Sequence, residues 1–278
     1  AFVFADEATN LDVKVTLRNS FTSGRRKDTR INYDLSGADW QVPLTVKQGQ
    51  STLTLSGFGM HPDADASKDK FDDMRLPRFD EYLDVTFEHP EFRFPYFAKD
   101  IAPASDEYVW SFVVESTDLT ENGLIQWDNS KFGDNDAQLF LLDVETAQMI
   151  NMREQSSLSY DAAKKRPFKV YFTKGDKEFS PGILLLGNPY PNPARGDVNI
   201  NLILPDAGKD YGVELVVYDH TGKPVKHLLN SRLPGGAHHL VWDAADYSGD
   251  PVASGFYSLR AKVNGRYKGV AQRLLITK

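Results

Sequence analysis

The densest set of side chains that could do chemistry is the stretch His61-Pro62-Asp63-Ala64-Asp65-Ala66-Ser67-Lys68-Asp69-Lys70-Phe71-Asp72-Asp73. Asp63, Asp65 and Asp69, with Ser67 among them, place oxygens at alternate positions, the way a loop offers ligands to a hard cation such as calcium. The EF-hand pattern fails, because Lys68 stands where glycine is needed and Met74 where a bidentate glutamate is needed. Two readings stay open: a calcium site of another kind on a β-sandwich loop, and a solvated acidic loop whose aspartates cap turns. The same pair of readings applies to Asp128-Asn129-Ser130-Lys131-Phe132-Gly133-Asp134-Asn135-Asp136.

Catalytic constellations are poor. The chain has no G-x-S-x-G elbow, no H-E-x-x-H helix and no phosphate-binding glycine loop. Cysteine is absent, which excludes a thiolate nucleophile, thiolate metal sites and a disulfide framework. His238 and His239 are adjacent, so on a strand they face opposite sides and cannot chelate together. His61 and His89 each precede proline, which suits a turn or strand end better than a ligand. Among 39 acidic residues a glycosidase-type carboxylate pair stays open, yet no spacing selects one. The expectation is therefore a non-enzyme with no catalytic residue and no cofactor beyond candidate calcium. A binding surface has one candidate: in His89-Pro90-Glu91-Phe92-Arg93-Phe94-Pro95-Tyr96-Phe97, the side chains Phe92, Phe94 and Tyr96 share one face. Facing solvent, that stripe would bind a sugar or a protein; facing inward, it is core.

The elements that would carry these residues are strands. Leu11 to Arg18 alternates apolar and polar residues, and similar short runs recur at Trp40–Val46, Ser51–Gly57, Tyr82–Phe87, Tyr108–Glu115, Gly123–Trp127, Gln138–Asp143 and Phe168–Phe172. Asn122-Gly123 predicts a tight hairpin with positive φ. No amphipathic helix of three turns is visible, and Asp161–Lys165 allows one turn at most. A second set of period-two runs starts near Val198 and ends at Ile276. Between the two sets lie Ser180-Pro181-Gly182 and Asn188-Pro189-Tyr190-Pro191-Asn192-Pro193, whose prolines favour an extended linker. The expected fold class is all-β, two β-sandwiches in tandem: 1–178, a Pro-rich linker at 179–190, and a small second domain at 191–278.

The 278 residues carry a net charge of −7, which argues against a nucleic-acid partner; the basic run Gly24-Arg25-Arg26-Lys27 reads as a solvated hairpin loop. No run approaches the ~20 apolar residues of a membrane-spanning helix. The start at Ala1 suits a processed or excised chain.

In the second domain, Pro191-Asn192-Pro193 is followed by Val216-Val217-Tyr218-Asp219 with Gly222, then Leu240-Val241-Trp242-Asp243 with Asp246 and Gly249. Ala253-Ser254-Gly255-Phe256-Tyr257 and Arg273-Leu274-Leu275-Ile276 follow. This order and spacing resembles the FlgD-type Ig-like domain and the C-terminal sorting domain of the type IX secretion system, related β-sandwich tails of exported bacterial proteins. Physical chemistry assigns each motif a job. Gly222 fits a left-handed turn position, Trp242 fills core with its N–H on a carbonyl, and Asp243 and Asp246 cap the turn to Gly249. Gly255 would allow a bulge or close strand approach ahead of Phe256 and Tyr257. Upstream, Leu139–Thr146 with Ile150–Arg153 and Tyr160 is similar to a segment often found just before such tails, and reads as a hairpin.

The resemblance implies a secreted or cell-surface protein whose tail serves export or attachment, with the outer-membrane secretion machinery or other surface proteins as partners. The first domain would then be a spacer or adhesion module. Two alternatives stand beside it. Ala1-Phe2-Val3-Phe4 could complete a neighbour's sheet edge in a self-assembling filament, or the chain could be the accessory part of a secreted hydrolase whose catalytic domain lies upstream.

Overall fold

The computed structural model describes residues 31–66, 68–75, 78, 80–89, 96–175, 179–267 and 271–278. The expected strand at Leu11–Arg18, the basic loop at Gly24–Lys27, the apolar segment Ala1–Phe4 and the stripe residues Phe92 and Phe94 lie outside them.

The chain is all-β. Among the described residues the first eleven strands are β1 (Trp40–Gln48), β2 (Ser51–His61), β3 (Asp73–Met74), β4 (Leu83–Glu88), β5 (Tyr96–Pro103), β6 (Glu107–Ser116), β7 (Gly123–Gln126), β8 (Gln138–Asp143), β9 (Gln148–Asn151), β10 (Ser157–Tyr160) and β11 (Lys165–Thr173). They form one sheet in the order β10-β7-β1-β2-β5-β4-β6-β11-β8-β9, with β3 on β5. Pairing is antiparallel except between β2 and β5. The alternation in β1 shows why: Trp40, Val42, Leu44 and Val46 are buried while their neighbours are not.

The sheet folds over on itself. β1 and β11 are five strand spacings apart, about 24 Å if the sheet were flat, yet the rings of Trp40 and Phe172 lie 5.0 Å apart. Tyr160 of β10 likewise meets Phe168 of β11 at 5.4 Å. The two halves close over a core centred on Trp40, Phe58, Trp110 and Phe172, so the first sandwich is a single curled sheet.

The second sandwich comprises β12 (Leu185–Leu186), β13 (Val198–Leu204), β14 (Asp210–Asp219), β15 (Pro224–Pro234), β16 (Gly236–Trp242), β17 (Gly255–Val263), β18 (Arg266–Tyr267) and β19 (Gln272–Ile276). One sheet runs β12-β13-β16, the other β15-β14-β17-β18 with β19 also on β17. Their inner faces bury Ile200, Leu215, Val217, Trp242, Leu259 and Leu274 in a separate core. A third apolar cluster joins Leu142, Ala147 and Tyr171 to Ile203, with Phe179, Ile183 and Leu185 packed on it. The Pro-rich stretch thus makes contacts along its length: β12 pairs with β13, and Gly187 N–H donates to Asn201 O at 3.0 Å. At 191–193, where an extended run was expected, the chain bends, and the Tyr190–Pro191 and Asn192–Pro193 peptide bonds are cis.

One local expectation narrows and one changes. Asp161–Lys165 forms no helical turn; among the described residues the helical element is a 3₁₀ turn at Asn129–Lys131. Asn122-Gly123 is not a positive-φ hairpin. Gly123 opens β7, which pairs with β1 and β10, and a Cβ there would sit 1.9 Å from the Tyr160 ring. Glycine is required by a close aromatic approach, a need that a local turn signal does not reveal. Among the described residues no helix is long and apolar enough to cross a membrane.

Gly123→Ala should lower stability by about 1–3 kcal/mol in urea unfolding, the usual cost of overpacking. Gly37→Ala, whose added methyl meets its nearest atom at 3.8 Å, should stay within ~0.5 kcal/mol. Equal effects at the two sites would refute the close-approach account.

Candidate functional site

Two carboxylates of the acidic loop, those of Asp69 and Asp72, accept backbone N–H groups. Asp69 accepts the N–H groups of Asp65 at 2.7 Å and Phe71 at 2.6 Å. Asp72 accepts from Asp69 at 3.1 Å and from Ile101 at 2.9 Å, and burial pushes its carboxyl above the ordinary aspartate value. Asp63 is exposed, its N–H donated to His61 Nδ1 at 3.0 Å. The His61 ring stacks on Phe71 at 3.9 Å. Among the described residues no three His, Asp or Glu side chains gather as a metal-ligating group. The second acidic turn follows suit: Asp128 caps the 3₁₀ turn through Ser130, and Asn129 donates to the carbonyls of Arg153 and Gln155.

Of the aromatic stripe, Tyr96 is exposed, with the Arg75 guanidinium 4.5 Å from its ring centre. His89 lies 3.1 Å from Asp100. His238 reaches Pro234 O at 2.7 Å and His239 reaches Asn201 at 2.9 Å, one on each side of β16.

The tail motifs occupy turns and strand clamps. Asn192 holds β19 from both ends of its amide, donating to Arg273 O and accepting from Leu275 N–H, each at 3.0 Å. Pro191 and Pro193 flank it. Gly222, at φ +85°, closes the β14–β15 turn, where Asp219 accepts from Thr221 Oγ1 at 2.6 Å and from Lys223 N–H at 3.0 Å. These bonds hold the Asp219 carboxyl below its ordinary value. Trp242 is buried, its Nε1 donating to Ala245 O at 2.9 Å. Asp243 accepts from Ala245 N–H, and Asp246 accepts from Ser248 and Asp250 N–H, across the turn where Gly249 has φ +86°. Tyr257 packs on Trp242 at 5.9 Å and donates to Ala253 O. Gly255 differs from expectation. It pairs in regular register with Ile276, and a Cβ there would meet nothing within 4 Å, so neither bulge nor close approach explains it.

The arrangement that sequence reading misses lies where the two sandwiches meet. Asp143, at the end of β8, is 1% exposed and receives Arg166 through Nη2 at 2.6 Å and Nε at 3.1 Å. The same carboxylate accepts the N–H groups of Glu145 and Thr146, shaping the β8–β9 turn. That turn grips the tail: Asn188 N–H donates to Glu145 O at 2.7 Å, and Asn201 Nδ2 donates to Thr146 O at 2.9 Å. The Asn188 amide donates to the Glu145 carboxylate at 2.8 Å. Gly187 makes the approach feasible, since a Cβ there would lie 1.9 Å from Thr146 O. Strand parity carries a signal for Arg166: it shares its face with Phe168, Val170 and Phe172, so an inward cation needs a buried carboxylate.

Comparison with known proteins adds the following. Residues 194–266 match the family model of the FlgD Ig-like domain. No curated protein matches. Among solved structures, the dimeric latent PorU of Porphyromonas gingivalis is similar at 16% identity and a TM-score of 0.35, covering 71% of this chain and 20% of its own. PorZ, an essential bacterial surface component of the type IX secretion system of the same organism, is similar at 19% identity and a TM-score of 0.25, covering 49% and 16%. A polysaccharide lyase is similar at 9% identity and a TM-score of 0.24, covering 86% and 40%. The chain thus spans about a fifth of PorU's length.

Removing one partner of the buried pair should be costly. Arg166→Met leaves the Asp143 charge unpaired and should lose about 3–5 kcal/mol. Adding Asp143→Asn should recover part of that, because the charge goes while the amide oxygen still accepts the turn N–H groups. Additive losses in chemical denaturation would refute this coupling. For Asp219 the folded pKa is depressed, so its contribution is complete above the ordinary value of 3.8 and fades as pH falls through the lower folded value. Asp219→Asn should flatten the acid limb of the stability–pH curve; an unchanged limb would contradict the turn geometry.

Proposed function

We propose that this chain is a non-enzymatic module of an exported or cell-surface bacterial protein, in which the second sandwich serves secretion or anchoring and the first is its spacer or adhesion body. The observation that carries this reading is the match of 194–266 to the FlgD Ig-like domain. Its motif side chains are spent on structure: Asn192 on β19, Asp219 and Asp246 on turns, Trp242 on the core. Motif residues absorbed in this way support a presenting role over a catalytic one.

The interdomain bonds support a rigid presentation. The tail meets the first sandwich through an apolar cluster and through backbone and amide bonds to Glu145 and Thr146. Such a junction suits a body that positions its tail at a fixed angle to a surface or to secretion machinery. Calcium binding by Asp63, Asp65 and Asp69 plays no part in this reading.

The decisive experiment fuses residues 179–278, which include β12 and its packing on β13, behind a reporter in a bacterium with type IX secretion machinery. The reporter should reach the cell surface or the medium, and a deletion of the secretion machinery should abolish this. A reporter held in the periplasm of the competent strain would overturn the sorting role.

A further inference from the structure

The seam between the sandwiches opens into a polar cleft of about 530 Å³, within the ~300–1,000 Å³ of small-molecule sites. The first sandwich contributes Asp161 and Arg166; the segment after β12 contributes Asn188 and Tyr190; β19 contributes Gln272 and Arg273. A smaller pocket of about 60 Å³ shares Arg166, Asp161 and Tyr190 with it, and all nine residues lining it carry polar side chains. We propose that this cleft binds a saccharide through its ring hydroxyls.

The chemistry of the wall selects that class. Donors and acceptors alternate around it. Arg166 gives Nε and Nη2 to Asp143, and among the described residues its Nη1 makes no hydrogen bond, so that edge is available as a donor. Arg273 and Asp161 are exposed and, among the described residues, neither enters an ion pair. They supply one donor set and one acceptor. Asn188 uses its amide N–H on Glu145 and keeps its carbonyl oxygen. Gln272 donates to Leu186 O at 2.8 Å and likewise keeps an acceptor. Vicinal hydroxyls both donate and accept, and pairs of this mixed kind satisfy them. The apolar share of the wall is small: Pro189, the Tyr190 ring and Ala271. That fits the C–H face of a sugar ring and is too little for a lipid or an apolar peptide side chain.

Charge excludes the nearest competitors. A cation would meet Arg273, and a simple anion would meet Asp161. Arg166 is already neutralised by Asp143, so the cleft offers hydrogen bonds without a dominant field. Its position is also preorganised. Arg166 is locked by the pair that shapes the β8–β9 turn, and the backbone of Arg273 is held by Asn192, which donates to its carbonyl at 3.0 Å. The Arg166 side of the wall therefore arrives already oriented, which lowers the entropic cost of binding.

The test uses the full chain, with galactose, N-acetylglucosamine and glucuronic acid as soluble probes in saturation-transfer NMR and a printed glycan array for breadth. At least one sugar should bind. Asp161→Ala and Arg273→Ala, both at exposed positions, should each weaken it about tenfold while thermal melting stays unchanged. Tyr190→Phe should weaken it less, since the ring face remains. Two results would overturn the proposal: no saccharide retained by the folded chain, or binding that survives the Asp161→Ala/Arg273→Ala double variant undiminished.

Discussion

A carboxylate that is 1% exposed cannot stay charged without a cation, and Asp143 has one in Arg166. Much of the molecule follows from that constraint. The pair ties β8 to β11 next to their ladder, where Phe168 stands opposite Asp143. Because the carboxylate also accepts Glu145 and Thr146 N–H, it turns the carbonyls of those residues outward. Asn188 and Asn201 of the tail bond to them. A buried ion pair adds little net stability compared with apolar replacements, but it discriminates sharply among arrangements. Here it holds the turn conformation that receives the second sandwich.

Around this polar hub the apolar contacts are divided by role. The first core is built from rings whose edges and faces meet at 4.9 to 6.4 Å among Trp40, Phe58, Trp110 and Phe172, and it closes the curled sheet. The tail core is aliphatic apart from Trp242 and Tyr257. The small third cluster joins Leu142, Ala147 and Tyr171 to Ile203. Non-directional burial brings the sandwiches together, and the hydrogen bonds of the turn set the angle. Gly187 is the point where the division becomes visible, because any side chain there would push Thr146 away.

Much of the fold was legible in the sequence, and little of the candidate site. Period-two alternation located most described strands, and the Trp242-Asp243 turn could be read to the level of individual bonds, because strands and turns are local. Gly123 was misread because its reason is Tyr160, 37 positions away. The curled sheet was hidden for the same reason: Trp40 and Phe172 are neighbours only through non-local pairing. Arg166 left a trace, an arginine on the inward face of β11, yet its partner depended on the β8–β11 register. The cleft needed both sandwiches in place, and no single run of residues encodes a seam.

The treatment of β19 bears on how a tail of this kind could be recognised. Along one edge it pairs with β17 from Gln272 to Ile276. Along the other, Ala194 bridges Ile276, donating its N–H to Leu275 O and accepting from Thr277 N–H, while Asn192 clamps Arg273 and Leu275. Adding β19 as a strand to a partner's sheet would require breaking this second set of bonds first. Docking of a folded surface requires none of that. An intact sandwich presents its outward side chains, among them Phe256, which is 64% exposed and sits opposite Leu275 on β19. The Asn192 clamp is what keeps β19 in register along this edge, and the same clamp fixes the Arg273 backbone beside the cleft.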